Sequence, residues 1–416
     1  MNVLYTLTAY PPFWGGAQLL IHGLARQLRR EHAVQVVSQW DTPRSDWLLG
    51  TTLNAPLDTR AYVVDGVPVR RIGLPHDVRA GLKPWVYGYW AAQGPAIERI
   101  SAVLADRFAD LAGAADLIHN CRIGREPLTA ASLALARRRD IPFVLSPVHH
   151  PRWGSWLHRH YQRLYRAADA IVALTRGERD LLLDLGVDER KIAITGMGPD
   201  LAPTGDGAAF RAAHGLGQDP VVLFVGQKYA YKGVAALLNA TRRVWERVPE
   251  TRFVFIGRPT RETAGLFRDL DRRIVNLDGV DLQTKTDAYA ACDVFCLPST
   301  QESFGGVFTE AWTFGKPVIG ADIAAVSDVI DDAVNGFICP PAAGPLADHL
   351  VHLLLNPGLR ARFGEAGRRK VAERYTWPAI AARTEALYRS LLAGAEPAAT
   401  RTVAVPAVRP CEETLA

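Results

Sequence analysis

The chain has 416 residues, more than one ordinary core accommodates, which predicts two or three domains. Apolar residues make up 48% and charged residues 22%, a balance that is typical of a globular protein and excludes a largely disordered one. The formal charge of +5 is compatible with a phosphate-bearing ligand or an anionic membrane surface, but equally with an ordinary basic surface.

The first half of the chain alternates between apolar strands and amphipathic helices. The stretch NVLYTL precedes a helix from about Gly16 to Arg30, in which Leu20, Leu24 and Leu28 recur every fourth residue. Further strands are predicted at AVQVVS, DLIHN, PFVLSPV and AIVALT. This alternation predicts a parallel, doubly wound α/β sheet.

The alternation stops at residues 196–220, which are rich in Gly, Pro and Asp, and then restarts. The later strands are predicted at VVLFVG, RFVFIG, RIVNLDG, VFCLPS, PVIGA and GFICPP. We therefore predict an α/β protein with two Rossmann-like, doubly wound domains that face each other across a cleft. The expected division is an N-terminal domain at 1–199, a linker at 200–219, a C-terminal domain at 220–375, a helix at 376–394 that packs back on the N-terminal domain, and a disordered tail at 395–416.

Cysteine usage and the N-terminus bear on the location of the protein. The five cysteines are scattered and lack paired C-x-x-C spacing, which argues against a zinc site and a disulfide framework and favours a reducing setting. No transmembrane run is present, and residues 1–16 lack the basic n-region of a signal peptide. We expect a cytoplasmic protein.

Gly15 and Gly16 lie between the first strand and the first helix, where glycine lets the backbone approach a ligand and helix amides can meet an anion. A plain strand-to-helix turn is the alternative, and no G-x-G-x-x-G fingerprint follows this strand.

Lys228 and Lys232, in VGQKYAYKG, follow the first strand of the second domain and could neutralise a diphosphate. Ordinary surface lysines are the alternative there, although lysine is scarce in this chain.

The stretch STQESFGGVFTEAWTFGKPVI contains two carboxylates, Glu302 and Glu310, within the composition of a buried strand-to-helix turn. Backbone N–H groups at the start of the predicted helix would point into the cleft and could hold a phosphate. The residues concerned are Ser303, Phe304, Gly305 and Gly306. Glu302 would lie beside these amides, where a carboxylate suits sugar hydroxyls or a developing positive charge better than phosphate. Glu310 could accept two hydrogen bonds from a ribose diol, and the alternative is that both are solvated residues at a helix edge.

His149 and His150 follow the strand PFVLSPV at its carboxyl end and could bind phosphate, bind a sugar hydroxyl or relay protons. The sequence does not say which of the two does so, and without a third clustered ligand no metal site is expected.

The helix in Arg152–Arg166 could touch an anionic membrane with its basic surface. A domain helix with arginines in solvent is the alternative.

These motifs together resemble a known family. Their order is Gly-Gly after strand one, His after a mid-domain strand, VGxxxxxKG, AYAACDVFCLPSxxESFGxxxxEAxxxGxPVI and GFICPP. The pattern is similar to the GT-B glycosyltransferases of the family 4 type, the retaining glycosyltransferase group 1 enzymes, over about residues 1–394. Its most specific part is the E-x7-E element from Glu302 to Glu310.

The resemblance implies transfer of a sugar, with retention, from a UDP-, GDP-, ADP- or dTDP-sugar to an acceptor hydroxyl of a glycan, a lipid-linked acceptor or a small molecule. The C-terminal domain would hold the donor and the N-terminal domain the acceptor, with no cofactor or metal required and no nucleic-acid partner. By the same resemblance, Glu302 contacts the donor sugar, Glu310 the ribose and Lys232 the diphosphate. Gly16 would lie near the phosphates, and one histidine of the pair would meet the donor sugar.

Three places depart from the family pattern. The usual PNGVD reads GMGPD here, which keeps Gly198 and Asp200 but not the Asn. Gln227 stands where an arginine usually follows the strand glycine, so that Lys228 could substitute as the second cation. Asp328 stands at the acid position of the usual G-x-P-E. A sugar-nucleotide epimerase, or a non-catalytic sugar-nucleotide-binding protein with a decayed site, therefore stays open as an alternative. The intact Lys232 and E-x7-E element argue against decay.

Overall fold

The structure is a computed structural model that describes residues 1–12, 15–41, 48–122, 124–149, 153 and 155–394. His150 and the expected tail at 395–416 lie outside the described residues. Among the residues described, no helix combines the length and the apolar character needed to cross a bilayer.

The first domain contains an eight-stranded sheet with the order β3-β4-β2-β1-β5-β6-β7-β8. Its strands are β1 (Asn2–Ala9), β2 (Ala33–Trp40), β3 (Arg60–Val64), β4 (Val67–Arg71), β5 (Leu117–Cys121), β6 (Phe143–Ser146), β7 (Ala170–Ala173) and β8 (Ile192–Ile194). Its helices are α1 (Gly16–Leu28), α2 (Leu49–Leu53), α3 (His76–Tyr87), α4 (Gln93–Leu111), α5 (Glu126–Arg138), α6 (Arg159–Ala167) and α7 (Arg176–Asp184). The paired strands run parallel except β3 and β4.

The β3–β4 hairpin was not among the predicted elements. Its turn is Asp65-Gly66, with φ of 48° and 77°, the left-handed conformation that a tight two-residue hairpin turn requires. The dipeptide Asp-Gly between apolar runs was therefore a usable hairpin signal. The hairpin extends the sheet beyond β2 without changing the parallel core.

The second domain contains a six-stranded parallel sheet with the order β11-β10-β9-β12-β13-β14. Its strands are β9 (Val221–Val225), β10 (Arg252–Ile256), β11 (Ile274–Leu277), β12 (Val294–Leu297), β13 (Val318–Ala321) and β14 (Gly336–Cys339). The remaining helices are α8 (Gly207–Ala213), α9 (Val234–Arg247), α10 (Leu282–Ala291), α11 (Gly306–Thr313), α12 (Ala324–Ser327), α13 (Ala343–Leu355), α14 (Pro357–Lys370) and α15 (Trp377–Leu392), with a π-helical segment, Val371–Tyr375, between the last two. Every strand named from the sequence forms.

Both sheets are doubly wound, and this determines where a ligand can bind. In the second sheet the chain runs outward from β9 to β11 and then returns to β12, on the other side of β9. The loops after β9 and β12 therefore diverge and leave a crevice at the carboxyl ends of these strands. The first sheet has the same reversal between β1 and β5.

The last helix, α15, follows the second domain in the chain but packs on α1 of the first. Its Tyr388 hydroxyl lies 3.1 Å from the Tyr5 hydroxyl and 2.5 Å from His119 Nδ1, in the buried interior. Burial lowers the pKa of His119 to about 3, so this histidine is neutral and contributes hydrogen bonds rather than charge.

Candidate active site

The site is organised around an ion pair between two loops of the second domain. Lys232, in the turn after β9, places Nζ 2.5 Å from Oε1 of Glu302, in the loop after β12. Their side chains are 18% and 10% exposed, so both face a restricted, solvent-connected space. The pair lies at the strand reversal, where the topology predicts a ligand site.

The loops after β9 and β12 are held together where their backbones approach closely. Gly233 directly precedes α9 and has φ of 74°, and a Cβ at this position would lie 2.2 Å from the carbonyl oxygen of Pro298. Glycine is required here because of the left-handed backbone conformation and because a side chain would clash with Pro298. The Thr300 N–H then donates to the Tyr231 carbonyl at 2.8 Å, which ties the Lys232 turn to the Glu302 loop.

A cavity of about 320 Å³ opens beside Glu302 and is lined by both domains. The first domain contributes His149, Thr175, Gly177, Glu178 and Leu181, and the second contributes Thr300, Gln301, Glu302, Ser303, Ile323, Ala324 and Ala325. The structure therefore brings together His149, Glu302 and Ser303, three candidate site residues that come from two separate stretches of the sequence. The volume suits a ligand of sugar size or somewhat larger.

His149 is buried at the wall of this cavity, with only 3% of its surface exposed. Its Nδ1 lies 3.1 Å from the Tyr165 hydroxyl, so that, as far as the described residues go, Nε2 is left for a ligand. Burial, reinforced by the nearby charge of Arg122, lowers the pKa of His149 to about 4. The imidazole is therefore neutral at physiological pH and suited to hydrogen bonding.

Glu178 is a cavity residue that sequence reasoning missed. Its Oε1 accepts a hydrogen bond from the His149 N–H at 2.6 Å and its Oε2 accepts one from the Leu174 N–H at 2.7 Å. Burial raises the pKa of Glu178 to about 7, opposed by these two hydrogen bonds and by Arg122. The spacing Thr175-x-x-Glu178 is a capping-box pattern, which signals a helix start but not a buried carboxylate.

Glu310 lies on α11 and is 4% exposed. Its Oε1 is 3.1 Å from Lys285 Nζ and 3.3 Å from the backbone N of Asp200. Its Oε2 is buried and makes no hydrogen bond of good geometry among the described residues, although the buried Tyr289 hydroxyl faces the same carboxylate. Burial raises the pKa of Glu310, and the adjacent Lys285 opposes this effect. Lys285, on α10, was not anticipated, because only the fold brings it to α11.

The backbone at the start of α11 has the form expected of an anion site. Gly305 precedes the helix with φ of 84°, and the helix itself begins at Gly306. The N–H groups of a first helical turn have no partner within the helix, so they can donate to an anion. Phe304 is 2% exposed and packs edge-on against Tyr375, with ring centroids 5.1 Å apart, which anchors the loop.

Lys228 is not brought to the Lys232–Glu302 pair. Its ammonium lies 2.5 Å from Asn276 Oδ1 and 3.3 Å from the Leu277 carbonyl, both in β11. Because β11 and β12 lie on opposite sides of β9, the two lysines diverge from a common loop. Lys228 is also fully buried, whereas Gln227 beside it is exposed.

Gly15 precedes α1 and Gly16 begins it, as predicted. Gly16 is exposed, and a Cβ there would meet no atom of the described residues within 4 Å. Neither glycine lines the cavity beside Glu302. Within the described ranges, the three side chains close enough to share a metal ion are those of Glu31, His32 and Glu385, none of which lines that cavity.

Comparison with known proteins identifies the family. The family model described as "Glycosyl transferase 4-like domain" matches residues 15–198, and the one described as "Glycosyl transferases group 1" matches residues 207–370. The D-inositol 3-phosphate glycosyltransferase of Kribbella flavida is 34% identical over 252 residues, which are 55% of this chain and 58% of that protein. The phosphatidyl-myo-inositol mannosyltransferase of Mycobacterium tuberculosis is 33% identical over 182 residues, which are 42% of this chain and 48% of that protein. The chain thus spans about half the length of these relatives.

The fold has close structural counterparts. HepE of Anabaena, solved in complex with UDP and glucose, matches with a TM-score of 0.71 at 18% identity, over 94% of this chain and 100% of that one. At this identity the similarity concerns the fold, and it confirms the predicted GT-B architecture of two Rossmann-like domains. Since the two family models match one domain each, at residues 15–198 and 207–370, the chain belongs to the GT-B glycosyltransferases of the group 1, family 4-like type.

Proposed function

We propose that this protein transfers a sugar from a nucleotide-diphosphate sugar to an acceptor hydroxyl, with retention of configuration and without a metal. The observation that carries the proposal is the 2.5 Å Lys232–Glu302 pair at the strand reversal, beside a cavity that both domains line. A donor bound to the second domain would present its sugar to the first domain across this cavity. His149 would meet the sugar from the opposite wall.

The leaving group would be stabilised by groups that are already in position. As the anomeric C–O bond breaks, its electron pair moves to the diphosphate, and the sugar gains oxocarbenium character. Lys232 and the amides of Phe304, Gly305 and Gly306 would hold the diphosphate where this negative charge develops. Glu302 would then stabilise the positive charge that develops on the sugar. Its ion pair with Lys232 would weaken as a result.

Retention follows from attack on the face that the diphosphate leaves. The acceptor oxygen forms the new C–O bond on that face, and its proton passes to the departing phosphate oxygen. In this scheme Glu302 acts electrostatically and forms no covalent bond. The neutral His149 would hydrogen-bond to a sugar hydroxyl through Nε2 and so orient the anomeric carbon.

Glu310 would bind the ribose of the nucleotide. Among the described residues its buried Oε2 makes no hydrogen bond of good geometry, although the Tyr289 hydroxyl faces the carboxylate, and a ribose diol supplies two hydroxyl donors. Lys285 and the Asp200 N–H hold the other oxygen and keep the carboxylate oriented. A ribose contact would thus supply good hydrogen bonds to a buried oxygen that the described residues satisfy incompletely.

The names of the relatives and of the solved structure indicate the chemical class of the donor and of the acceptor. The relatives are named for inositol 3-phosphate and phosphatidyl-myo-inositol, and the Anabaena structure contains UDP. These names support a polyol-type acceptor and a nucleotide-sugar donor for this chain. A thermal-shift screen against UDP-, GDP-, ADP- and dTDP-sugars would identify the donor, because a ligand that binds the native state raises the melting temperature.

Activity with the selected donor provides the test. Wild-type protein should transfer the sugar to a polyol acceptor, or at least hydrolyse the donor. The folded Glu302→Gln variant should lose about 10²- to 10³-fold in turnover. Turnover of that variant at the wild-type level would contradict the proposal, and donor isomerisation without an acceptor would indicate an epimerase instead.

We also propose that the first domain contacts an anionic membrane from the cytoplasmic side. One face of α6 packs in the core, because Tyr161 and Tyr165 are buried. Exposed aromatic residues lie nearby, with Trp156 70% and Trp90 61% exposed, and Arg163 is exposed on the same helix as the buried tyrosines. Aromatic rings and arginine together suit the headgroup region of anionic lipid.

Sedimentation with lipid vesicles tests this contact. The protein should bind vesicles that contain phosphatidylglycerol and should not bind pure phosphatidylcholine vesicles. The variant Trp90→Ala/Trp156→Ala should bind the anionic vesicles less, and equal binding by variant and wild type would exclude this surface.

A further inference from the structure

One peptide bond beside the cavity is held by two charged side chains of opposite sign. The carbonyl oxygen of Val148 accepts a hydrogen bond from Arg122 Nη2 at 3.3 Å, and the N–H of the next residue, His149, donates to Glu178 Oε1 at 2.6 Å. Both atoms belong to the same peptide unit, so the guanidinium and the carboxylate fix its two polar ends. A charged partner makes such hydrogen bonds stronger than neutral ones.

The Val148–His149 peptide needs stabilising contacts from outside its own loop. Val148 has φ of 47°, in the left-handed region, which is unfavourable for a β-branched residue. Conformations of this kind persist only where surrounding contacts determine them. Arg122 also donates through Nε to the Pro147 carbonyl at 2.7 Å, and its guanidinium lies 3.7 Å from the centre of the Trp153 ring. The arginine is therefore itself fixed in place.

Glu178 completes the hold from the other side. As the third residue of α7 it occupies the position from which a capping-box glutamate usually returns to its own helix start. Here Oε2 instead accepts from the Leu174 N–H at 2.7 Å, at the end of β7, while Oε1 reaches the loop after β6. One carboxylate thus joins two neighbouring strand ends, and both of its oxygens are used by backbone donors.

We propose that Glu178 is a positioning residue for sugar transfer, which in its ionised form clamps the Val148–His149 peptide together with Arg122 and so sets the His149 ring in the cavity. This inference rests on the proposed function and adds a residue and an ionisation state to it. Glu178 itself is 2% exposed with both oxygens engaged, so it acts through His149 rather than on the sugar.

The surroundings of Glu178 favour protonation close to neutral pH. Titratable or charged groups face it from several elements: Cys121 and Arg122 at the end of β5, His149 after β6, Tyr165 on α6 and, across the cavity, Glu302. Burial is the main reason that the pKa of Glu178 rises to about 7. A protonated carboxyl would present a hydroxyl to one of the two backbone N–H donors, which would weaken the clamp.

The test compares pH profiles of kcat and KM for wild type, Glu178→Gln and Glu178→Asp. Wild-type kcat should fall on the acid side with a midpoint near pH 7. Glu178→Gln should lose roughly 10- to 100-fold in kcat with little change in KM and should lack this acid limb. Glu178→Asp, which keeps the charge, should retain the limb and recover part of the rate. Asp184→Asn, at the exposed end of the same helix, is the matched control and should behave as wild type.

Two further measurements make the inference decidable. In a His149→Ala background, Glu178→Gln should cost no further kcat, since it acts through that side chain. The backbone amide resonance of His149 should titrate with a midpoint near pH 7 in wild type and not in Glu178→Gln.

The inference is overturned if Glu178→Gln keeps both the wild-type rate and the acid limb, or if the amide shows no such titration. If the Gln variant does not fold, the wild-type titration and the Asp variant still decide the question. Absence of any transfer or hydrolysis by wild type would contradict the proposed function, while the amide titration would still decide the clamp.

Discussion

The Asp328 carboxylate of the second domain accepts a hydrogen bond from the Gly177 N–H of the first domain, with Oδ2 3.1 Å from N. The Arg176 N–H donates to the same oxygen. These amides form the first turn of α7, where the helix dipole favours a negative charge. Asp328 therefore links the two walls of the cavity, at the position where the family usually has a glutamate.

We expect Asp328→Ala to favour a more open arrangement of the domains. A carboxylate at a helix N-terminus contributes about 1 kcal/mol, roughly a fivefold shift in a two-state equilibrium. Small-angle scattering should show a larger radius of gyration for the variant, and kcat/KM should fall by a similar factor. Asp348→Ala, an exposed acid elsewhere in the same domain, is the control. An unchanged radius and unchanged kcat/KM would show that Asp328 does not hold the domains together.

Lys232 and Lys228 provide a matched pair of variants with opposite expectations. Lys232→Met should weaken binding of a nucleoside diphosphate and lower turnover by about 10²-fold or more, because a cation at the leaving group is lost. Lys228→Met should instead lower the free energy of unfolding by about 1–3 kcal/mol, since Asn276 and the Leu277 carbonyl lose a buried partner. Its nucleotide affinity should stay within about twofold of wild type.

Calorimetric titration and urea unfolding of both lysine variants make the comparison. Equal losses of nucleotide affinity would mean that Lys228 also serves the diphosphate, as the sequence suggested. A stable Lys228→Met variant would contradict its structural role.

Glu310→Gln should reduce nucleotide affinity more than it reduces turnover at saturating donor. Two hydrogen bonds from a ribose diol to a carboxylate are worth about 2 kcal/mol, which corresponds to roughly a thirtyfold weaker Kd. Titration with the nucleoside diphosphate alone measures this without any catalytic step. Glu302→Gln should show the reverse pattern, with affinity nearly kept and turnover lost. If Glu310→Gln lost turnover and Glu302→Gln lost nucleotide affinity, the roles assigned to the two glutamates would be reversed.

The stability of the protein should fall in acid partly because of His119. Its pKa is about 3 in the folded protein, against an ordinary value of 6.5. Between these values the unfolded chain binds one more proton at this residue, so stability decreases as the pH falls. The slope is about 1.4 kcal/mol per pH unit below roughly pH 6.5.

Urea unfolding at several pH values should show this slope reduced in His119→Gln, which has no group that titrates in this range. His76→Gln, at an exposed position, should keep the wild-type slope. Glu178 acts in the opposite direction, because its raised pKa makes stability fall as the pH rises from about 4.5 to about 7. The comparison between variants, rather than the wild-type curve alone, therefore isolates His119.

The sequence alone determined the elements whose causes are local. The strands and most helices follow from hydrophobic periodicity along short stretches. The Gly, Pro and Asp content of residues 200–219 predicted a linker, but this stretch contains α8 (Gly207–Ala213). The E-x7-E element could be assigned to a loop and a helix because its residues are close in the chain. Lys232 and Gly233 likewise form one local turn, and that turn lies where the strand order reverses.

Tertiary structure decided the relationships between distant residues. Lys228 and Lys232 share one loop, yet their side chains lie on opposite sides of β9, and chain spacing does not specify that direction. The bond from the His149 N–H to Glu178 spans 29 residues, and that from the Gly177 N–H to Asp328 spans 151. Such pairs form only after the sheets and helices have packed, because burial, rather than local propensity, selects which charged group reaches which backbone atom.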